Sequence, residues 1–485
     1  MKNKNKYLGL LIAPFFCLAL LSCNKNNYDP NPSEADLAWV KNVKLVIGGA
    51  EIAGKINENK KEILFPKMPA NTDLSNVSFK GDFPPGASFE KNSYNFTPEE
   101  GDASTKMSVK VVNNKRFREY YVTLNLSVPP SGINYSKGTL YNFSAGNGGT
   151  RYPDFNDVTQ GRVADIDQNY VLIVNRVGAV VPHLLRLEDL KKGIISNPIP
   201  LNLTGVTGGT YTVNAGRLIN GHVYICNLTT GFATSSFKVY HWDAANPDTP
   251  PTTVANYLEV DCAGVAAGVR YGDYFSMDVD DKGNGYIFSR AGSSHASTLR
   301  IKVENFTQSS EPTILSITES AGTPSNGAWG TCNMVDGNPG EFIFTSSNNV
   351  VRLINVDGGT MYNMTTFAVN DGGSARTVNF NNARYLITLN SMIGSGVISL
   401  YDITKGSSTT EALTLFDGGD ALSKAPLYQF SLGGTIPSGN VSCGVTFAKD
   451  NDKLYVLGSG AVAGFAFIEF PIATETDPFD DFVED

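Results

Sequence analysis

The densest group of candidate metal ligands is Asp278–Ser289, which reads DVDDKGNGYIFS. Calcium loops place oxygen ligands at alternate positions and close with a bidentate carboxylate. Asp278 and Asp280 suit the first two places, but Lys282 occupies the third and no glutamate ends the loop. The stretch therefore reads as a tight hairpin turn, and neither a metal ion nor a cofactor is assigned.

Other reactive side chains are scattered. The four histidines, His183, His222, His241 and His295, are not spaced for a metal or a triad. No GxSxG, HExxH or P-loop pattern is present. Asp154 and Asp157 share a loop with Arg151, Tyr152 and Phe155, and Asp273 follows Arg270 and Tyr271. These acids are candidates for paired-carboxylate glycoside chemistry; loop solvation and turn formation are the alternative, and no catalytic residue is assigned. Cys226, Cys262, Cys332 and Cys443 lack CxxC spacing and read as small core residues.

Arginines recur after glycine-rich segments. NGGTRYPDFNDVTQGR contains Arg151 and ends at Arg162, TGGTYTVNAGR contains Tyr211 and ends at Arg217, and AAGVR ends at Arg270 before Tyr271. SNGAWG carries Trp329 and NDGGSAR ends at Arg376. Whether residues so far apart meet depends on the elements that carry them.

Those elements repeat. A strand, a polar turn and an apolar strand occur six times, beginning at Val163, Ala215, Phe275, Thr331, Arg376 and Gly444. DVDDKGNGYIFS is the third of these hairpins. A third strand follows each one: His183–Leu187, Lys238–Trp242, Leu299–Val303, Val350–Ile354, Val397–Tyr401 and Phe465–Glu469. Fourth strands are expected at Pro200–Leu203, Leu258–Val260, Ile314–Ile317 and Met364–Phe367. This pattern predicts an all-β chain with a β-propeller over 138–473, six blades in number, with a seventh left open in Asp417–Gly434. Gly138–Phe143 is placed to supply the outer strand of the last blade. In a propeller the loops before the first strands gather on one face. Arg151, Arg162, Tyr211, Arg217, Arg270, Tyr271, Trp329 and Arg376 then become a ligand-binding set.

The bulk properties agree with strands. Of 485 residues, 48 are glycine and 11% aromatic, while only 18% are charged. A net charge of −9 argues against nucleic acid as a partner. Lys2, Lys4 and Lys6 precede an apolar stretch, Leu8–Leu21, too short to span a bilayer. Leu20-Leu21-Ser22-Cys23 resembles a bacterial lipoprotein box, which implies a signal peptide over 1–22 and lipidation at Cys23. Asn24 after the cysteine points to the outer membrane, at the cell surface or on the periplasmic face. Residues 23–35 form a tether, 129–137 a Pro/Gly linker and 474–485 an acidic tail.

Between tether and linker, 36–128 holds short alternating strands at Val43–Ile47, Glu62–Phe65, Val77–Phe79, Met107–Val111 and Tyr120–Leu124, the pattern of a small β-sandwich. With Pro69–Leu74, Pro84–Ala87 and a closing Tyr120-Tyr121-Val122, it resembles the Ig-like modules of Bacteroidetes-type lipoproteins, which act as spacers. Module and propeller together resemble a group of two-domain lipoproteins of unknown function from the same bacteria. That resemblance implies architecture and location, and carries no activity.

Clustered guanidiniums in an acidic protein either pair with carboxylates or await an anion. Aromatic faces beside them suit sugar rings. The expectation is a binding protein that takes extracellular carbohydrate at the propeller funnel. In the other reading of the arginines, each bonds to backbone carbonyls or to Asp154, Asp157, Asp273 or Asp371. A polysaccharide lyase or glycoside hydrolase on the same scaffold, and a platform for envelope protein partners, remain as alternative functions.

Overall fold

The computed structural model describes residues 37–474, apart from 70–71, 100–103, 128–130, 158–160, 177–180, 266–267, 293–296, 319–329, 349–350, 370–372, 391–395, 435 and 437–440. The signal segment, Cys23, the whole tether, the tail from 475 onward, His295, Trp329 and Asp371 lie outside the described residues. The chain is all-β and divides into two compact units at Pro129/Pro130.

The first unit carries two sheets. β1 (Lys41–Ile47) lies between β2 (Ala50–Ala53) and β6 (Ser78–Asp82). The second has the order β3 (Lys55–Asn57), β4 (Glu62–Leu64), β9 (Arg116–Ser127), β8 (Ser104–Asn113) and β7 (Ser88–Phe89), with β5 (Met68–Pro69) also on β9. Alternation explains the layering. Val43 and Leu45 of β1, Val109 and Val111 of β8, and Tyr120, Val122 and Leu124 of β9 all point into one core.

Among the described residues the second unit contains six antiparallel sheets. Sheet 6 takes its outer strand, β10 (Thr139–Ser144), from the start of the unit. Sheet 1 is β11–β14 (Gly161–Ile166, Tyr170–Asn175, His183–Arg186, Ile199–Pro200). Sheet 2 is β15–β18 (Tyr211–Ile219, His222–Leu228, Phe237–Asp243, Thr252–Tyr257). Sheet 3 is β19–β21 (Arg270–Val279, Gly285–Gly292, Thr298–Glu304), with both β22 (Gln308–Ser309) and β23 (Thr313–Leu315) on β21. Sheet 4 is β24–β27 (Cys332–Val335, Asn338–Thr345, Val351–Asn355, Thr360–Asn363). Sheet 5 is β28–β31 (Ser374–Phe380, Ala383–Asn390, Val397–Asp402, Tyr428–Ser431). Sheet 6 continues inward from β10 as β34 (Gly464–Pro471), β33 (Lys453–Gly460) and β32 (Val441–Phe447). All six hairpins read from the sequence are present, and Asp280–Asn284 is the turn of the third.

The first strands contact one another in a cycle: β11 on β15, β15 on β19, β19 on β24, β24 on β28, β28 on β32, and β32 on β11. Apolar clusters fill the space between neighbouring sheets around this cycle. Across the seam between sheets 6 and 1, Phe143, Phe465 and Phe467 pack with Ala164, Ile166, Val171 and Ile173. β10 pairs with β34 along its whole length, and the ring of Tyr141 stacks on Phe467 at 4.6 Å. Ile133, within the expected linker, is already buried on this unit, its N–H donating to the Tyr385 hydroxyl at 2.8 Å.

Three expected elements differ. The fourth strand of sheet 2 is β18, whereas Glu259–Asp261 is a 3₁₀ turn, because the Asp261 carboxylate accepts the Leu258 N–H at 2.7 Å and ends the extended run. The fourth strand of sheet 4 is β27 and not Met364–Phe367. The N–H groups of Thr365, Thr366 and Phe367 are taken by Asp417 at 2.8–2.9 Å. The segment left open for a seventh blade supplies β31 to sheet 5, after a helix, α2 (Thr409–Asp417). Ser408 Oγ accepts the Glu411 N–H at 3.1 Å and the Glu411 carboxylate accepts the Ser407 N–H at 2.8 Å, which caps that helix. A shorter helix, α1 (Leu187–Lys191), follows β13.

Asp417 therefore holds the end of α2 to sheet 4. Burial would raise its pKa, but the amides of Thr365, Thr366 and Phe367 and the Thr366 hydroxyl outweigh it and hold the carboxyl below its usual value. Asp417→Ala is expected to cost about 3 kcal/mol, measured by urea unfolding. Because the folded pKa is depressed, this contribution is complete above about pH 4 and is lost as the pH falls further; the variant, lacking it, shows a flatter acid limb.

Candidate functional site

A narrow cavity of about 20 Å³ is lined by residues from the first strand of every sheet: Val163, Arg217, Asp273, Asn333, Ser374 and Val441 among them. That is room for about one water molecule and not for a sugar ring. The charged residues around it fall into two groups.

The inner group is balanced. Asp278, the first residue of the candidate calcium loop, is a buried strand residue. Its carboxylate accepts from Arg376 Nη2 at 2.8 and 3.1 Å and from the Met334 N–H at 3.0 Å. Arg217 reaches Asp278 at 3.7 Å, Asp165 at 3.2 Å and the Cys443 carbonyl at 3.3 Å. Asp165 also accepts the Leu218 N–H at 2.8 Å. Two guanidiniums thus face two carboxylates, all nearly or wholly buried. Burial pushes the Asp165 carboxyl up, and Arg217 and Arg376 oppose it. Burial likewise lowers Arg217, helped by Arg376. Asp280, by contrast, serves the turn, accepting the Lys282 and Asn284 N–H groups at 2.9 and 2.8 Å.

The second group is unbalanced. Asp273 Oδ1 lies 3.6 Å from Arg162 and 3.5 Å from Arg176, and its Oδ2 lies 2.5 Å from Arg270. A bulge between Arg270 and Tyr274 in β19 presents this carboxylate. Gly272 makes the bulge at φ +100°, and a Cβ there would meet the Asn227 carbonyl at 2.0 Å. Arg176 donates to Asn214 Oδ1 at 2.6 Å and lies 4.0 Å over the Tyr211 ring. Arg162 is buried, and desolvation together with Arg176 pushes its pKa down to about 10 against the pull of Asp273. Arg270 keeps 41% of its side chain exposed.

The structure thus gathers Arg162, Tyr211 and Arg270 in one group and Arg217 and Arg376 in the other. Arg151 stands apart, bonding to the Val462 carbonyl at 2.7 Å and to Asn156 at 2.9 Å. Tyr271 does not join the set. Its ring is fully buried against Phe232 and Phe237, because the bulge turns Asp273 toward the arginines and leaves Tyr271 facing the core. Sequence reasoning missed Arg176, Asn214, Asp165 and the true role of Asp278. Arg176 directly follows the apolar second strand YVLIVN, which places it at the same end as the loops before the first strands.

Two other arrangements lie apart from these groups, the first buried and the second half-buried. The Tyr152 hydroxyl lies 2.7 Å from His183 Nε2, and His183 Nδ1 lies 3.9 Å from Asp154, which accepts from Asn175 at 2.6 Å. Tyr152 and His183 are 5% and 1% exposed, and burial drives the tyrosine pKa far up, so this phenol is a poor base. His222 Nδ1 and His241 Nε2 are 2.8 Å apart, with Phe306 stacked on His222. Burial lowers both, His241 to about 4 with help from His222, so the pair is neutral at pH 7. The four cysteines Cys226, Cys262, Cys332 and Cys443 are free and buried.

These features define an all-β protein whose larger unit is built on a buried charge network shared by six antiparallel sheets. Residues 28–473 match the family described as Domain of unknown function (DUF4623), and the chain belongs to that family. It is similar to the crystal structure of a DUF4623 family protein from Bacteroides eggerthii DSM 20697. The TM-score is 0.73 at 28% identity, over 92% of this chain and 100% of that one. None of the curated proteins matches.

The inner group makes a stability prediction. Arg376→Met leaves Asp278 without its closest cation and is expected to cost about 3–5 kcal/mol in urea unfolding. Asp278→Asn in the same background is expected to recover part of that loss, since it removes the uncompensated charge.

Proposed function

We propose that this chain is a lipid-anchored envelope protein that binds acidic extracellular carbohydrate. In this reading its larger unit is a six-bladed β-propeller and its smaller one an Ig-like spacer. The cyclic packing of the six first strands, the apolar clusters between neighbouring sheets and the strand lent by β10 to sheet 6 support the propeller. The two sheets of the first unit, packed over one core, support the spacer. The apolar segment Leu8–Leu21 before Cys23 supports the anchor, and Asn24 after the cysteine supports an outer-membrane location.

One observation carries the ligand class: three guanidiniums, from Arg162, Arg176 and Arg270, surround the single carboxylate of Asp273. Counting these four side chains alone, three guanidiniums share one carboxylate in a protein of net −9. Arg270 is open to solvent, and the Tyr211 ring, with Arg176 4.0 Å over one face, belongs to the same group. A uronic acid satisfies both features, its carboxylate on Arg270 and its ring face near Tyr211. The cavity beneath is too narrow for a sugar, so the ligand sits at the mouth. The buried Tyr152–His183 pair gives the lyase alternative little support.

A glycan array probed with the mature chain, followed by calorimetry on any acidic oligosaccharide retained, tests the reading. Arg270→Ala is expected to weaken binding about tenfold, equivalent to roughly 1.4 kcal/mol. Raising the salt from low to near-molar ionic strength should also weaken it. Absence of any bound glycan, or full affinity in the Arg270→Ala variant, would overturn the proposal.

A further inference from the structure

A second cavity of the larger unit lies away from the arginine groups. It encloses about 390 Å³ at the seam between sheets 1 and 6. The β11–β12 turn supplies Gln168, Asn169 and Tyr170; the end of β13 and α1 supply Arg186, Glu188 and Lys191; the β32–β33 hairpin supplies Lys449 and Tyr455. Gln168 and Arg162 stand at opposite ends of β11, about 20 Å apart by strand rise. The two places are therefore distinct.

One wall of this cavity is fixed. Lys191 pairs with Glu469 at 2.5 Å, lies 4.6 Å over the Tyr455 ring and bonds to the Tyr455 hydroxyl at 2.6 Å. Glu469 is held in turn by Lys453 at 2.9 Å. Opposite it the polar side chains are uncommitted. Gln168, Arg186, Glu188 and Lys449 make no side-chain hydrogen bond or ion pair among the described residues. This contrasts with the axis, where the inner carboxylates and guanidiniums have partners of opposite charge. A cavity of a few hundred Å³ with a rigid back wall and a few convergent polar groups has the build of a small-molecule site.

We infer that this seam cavity binds a carboxylated sugar of one or two rings, separately from the mouth. Arg186 and Lys449 supply two cations without internal counter-ions for the carboxylate. Glu188, Gln168 and Asn169 supply the mixed acceptors and donors that sugar hydroxyls require. Tyr170, half-buried in the wall, supplies a ring for the sugar face. An inorganic anion would use the cations alone and leave Glu188, the amides and the ring without a role.

The test uses the whole mature chain and digalacturonate, with the neutral disaccharide cellobiose and inorganic phosphate as comparators, followed by calorimetry or by ligand-observed NMR. Saturable binding of digalacturonate is expected, about tenfold weaker in Arg186→Ala and in Lys449→Ala. Both residues are exposed, so neither change threatens folding. Arg270→Ala should leave this binding intact, whereas it weakens the mouth site about tenfold, so failure of one proposal is distinguishable from failure of the other. Absence of saturable binding overturns the seam site, as does binding that both seam variants leave unchanged. Equal affinity for phosphate with competition between the two overturns the sugar assignment.

Discussion

Asp278 takes Arg376 of sheet 5 at 2.8 Å and the Met334 N–H of sheet 4 at 3.0 Å while it belongs to sheet 3, and Arg217 of sheet 2 approaches it from the other side. Four sheets thus meet at one buried carboxylate. Removing such charges from water is costly, and their mutual attraction repays it only when geometry and hydrogen bonding are complete. Here two acids answer two arginines, and each acid also accepts a backbone N–H from a neighbouring sheet, Leu218 on Asp165 and Met334 on Asp278. The network fixes which strand faces which more than it adds net stability, since apolar packing between sheets would tolerate sliding. A backbone N–H bonded to a carboxylate or hydroxyl of the neighbouring sheet does not. The same device recurs at Asp165 to Leu218, Ser276 to Cys332, Asp336 to Asn379 and Ser459 to Ala164.

The second arginine group uses the same residue types with a different outcome. Around Asp273 the cations outnumber the acid, and one of them is exposed. Balanced charge inside and unbalanced charge at the edge is what separates a scaffold from a surface that can recruit an anion. The seam cavity follows the same logic on another part of the unit, with a paired lysine as wall and unpaired cations as rim. Both depend on the inner charge network holding the sheets in place, because each is assembled from more than one sheet.

Much of the strand order was legible from Asp, Asn, Gly and Lys turns recurring between apolar runs, since hairpins are local. Short outer strands were less so: β18 and β27 are displaced from their expected positions because side chains of Asp261 and Asp417 claim the neighbouring amides. The helix α2 was overlooked although Ser408 and Glu411 form a cap, because its apolar residues sit among turn-rich segments. The convergence of the arginines followed from the repeat, but their partners did not. Arg376 and Asp278 are 98 positions apart, and only the packed sheets decide that Asp278 faces inward while Asp280, two residues on, faces the turn. Tyr271 shows the same limit, where a bulge at Gly272 leaves its ring in the core while Asp273 meets the arginines.

The pairing of β10 with β34 joins the first strand of the larger unit to its last. Contacts of such long sequence separation carry a loop-closure cost that local hairpins do not, so they form late. A chain emerging from its amino end can therefore build five sheets in succession while the sixth waits for its partner. Until that last segment arrives, Tyr141 and Phe143 have no aromatic rings to stack on, and the edges of two sheets stay open. Arrival of β34 is then itself the step that locks the unit, and a chain cut before Gly464 remains an unsealed one.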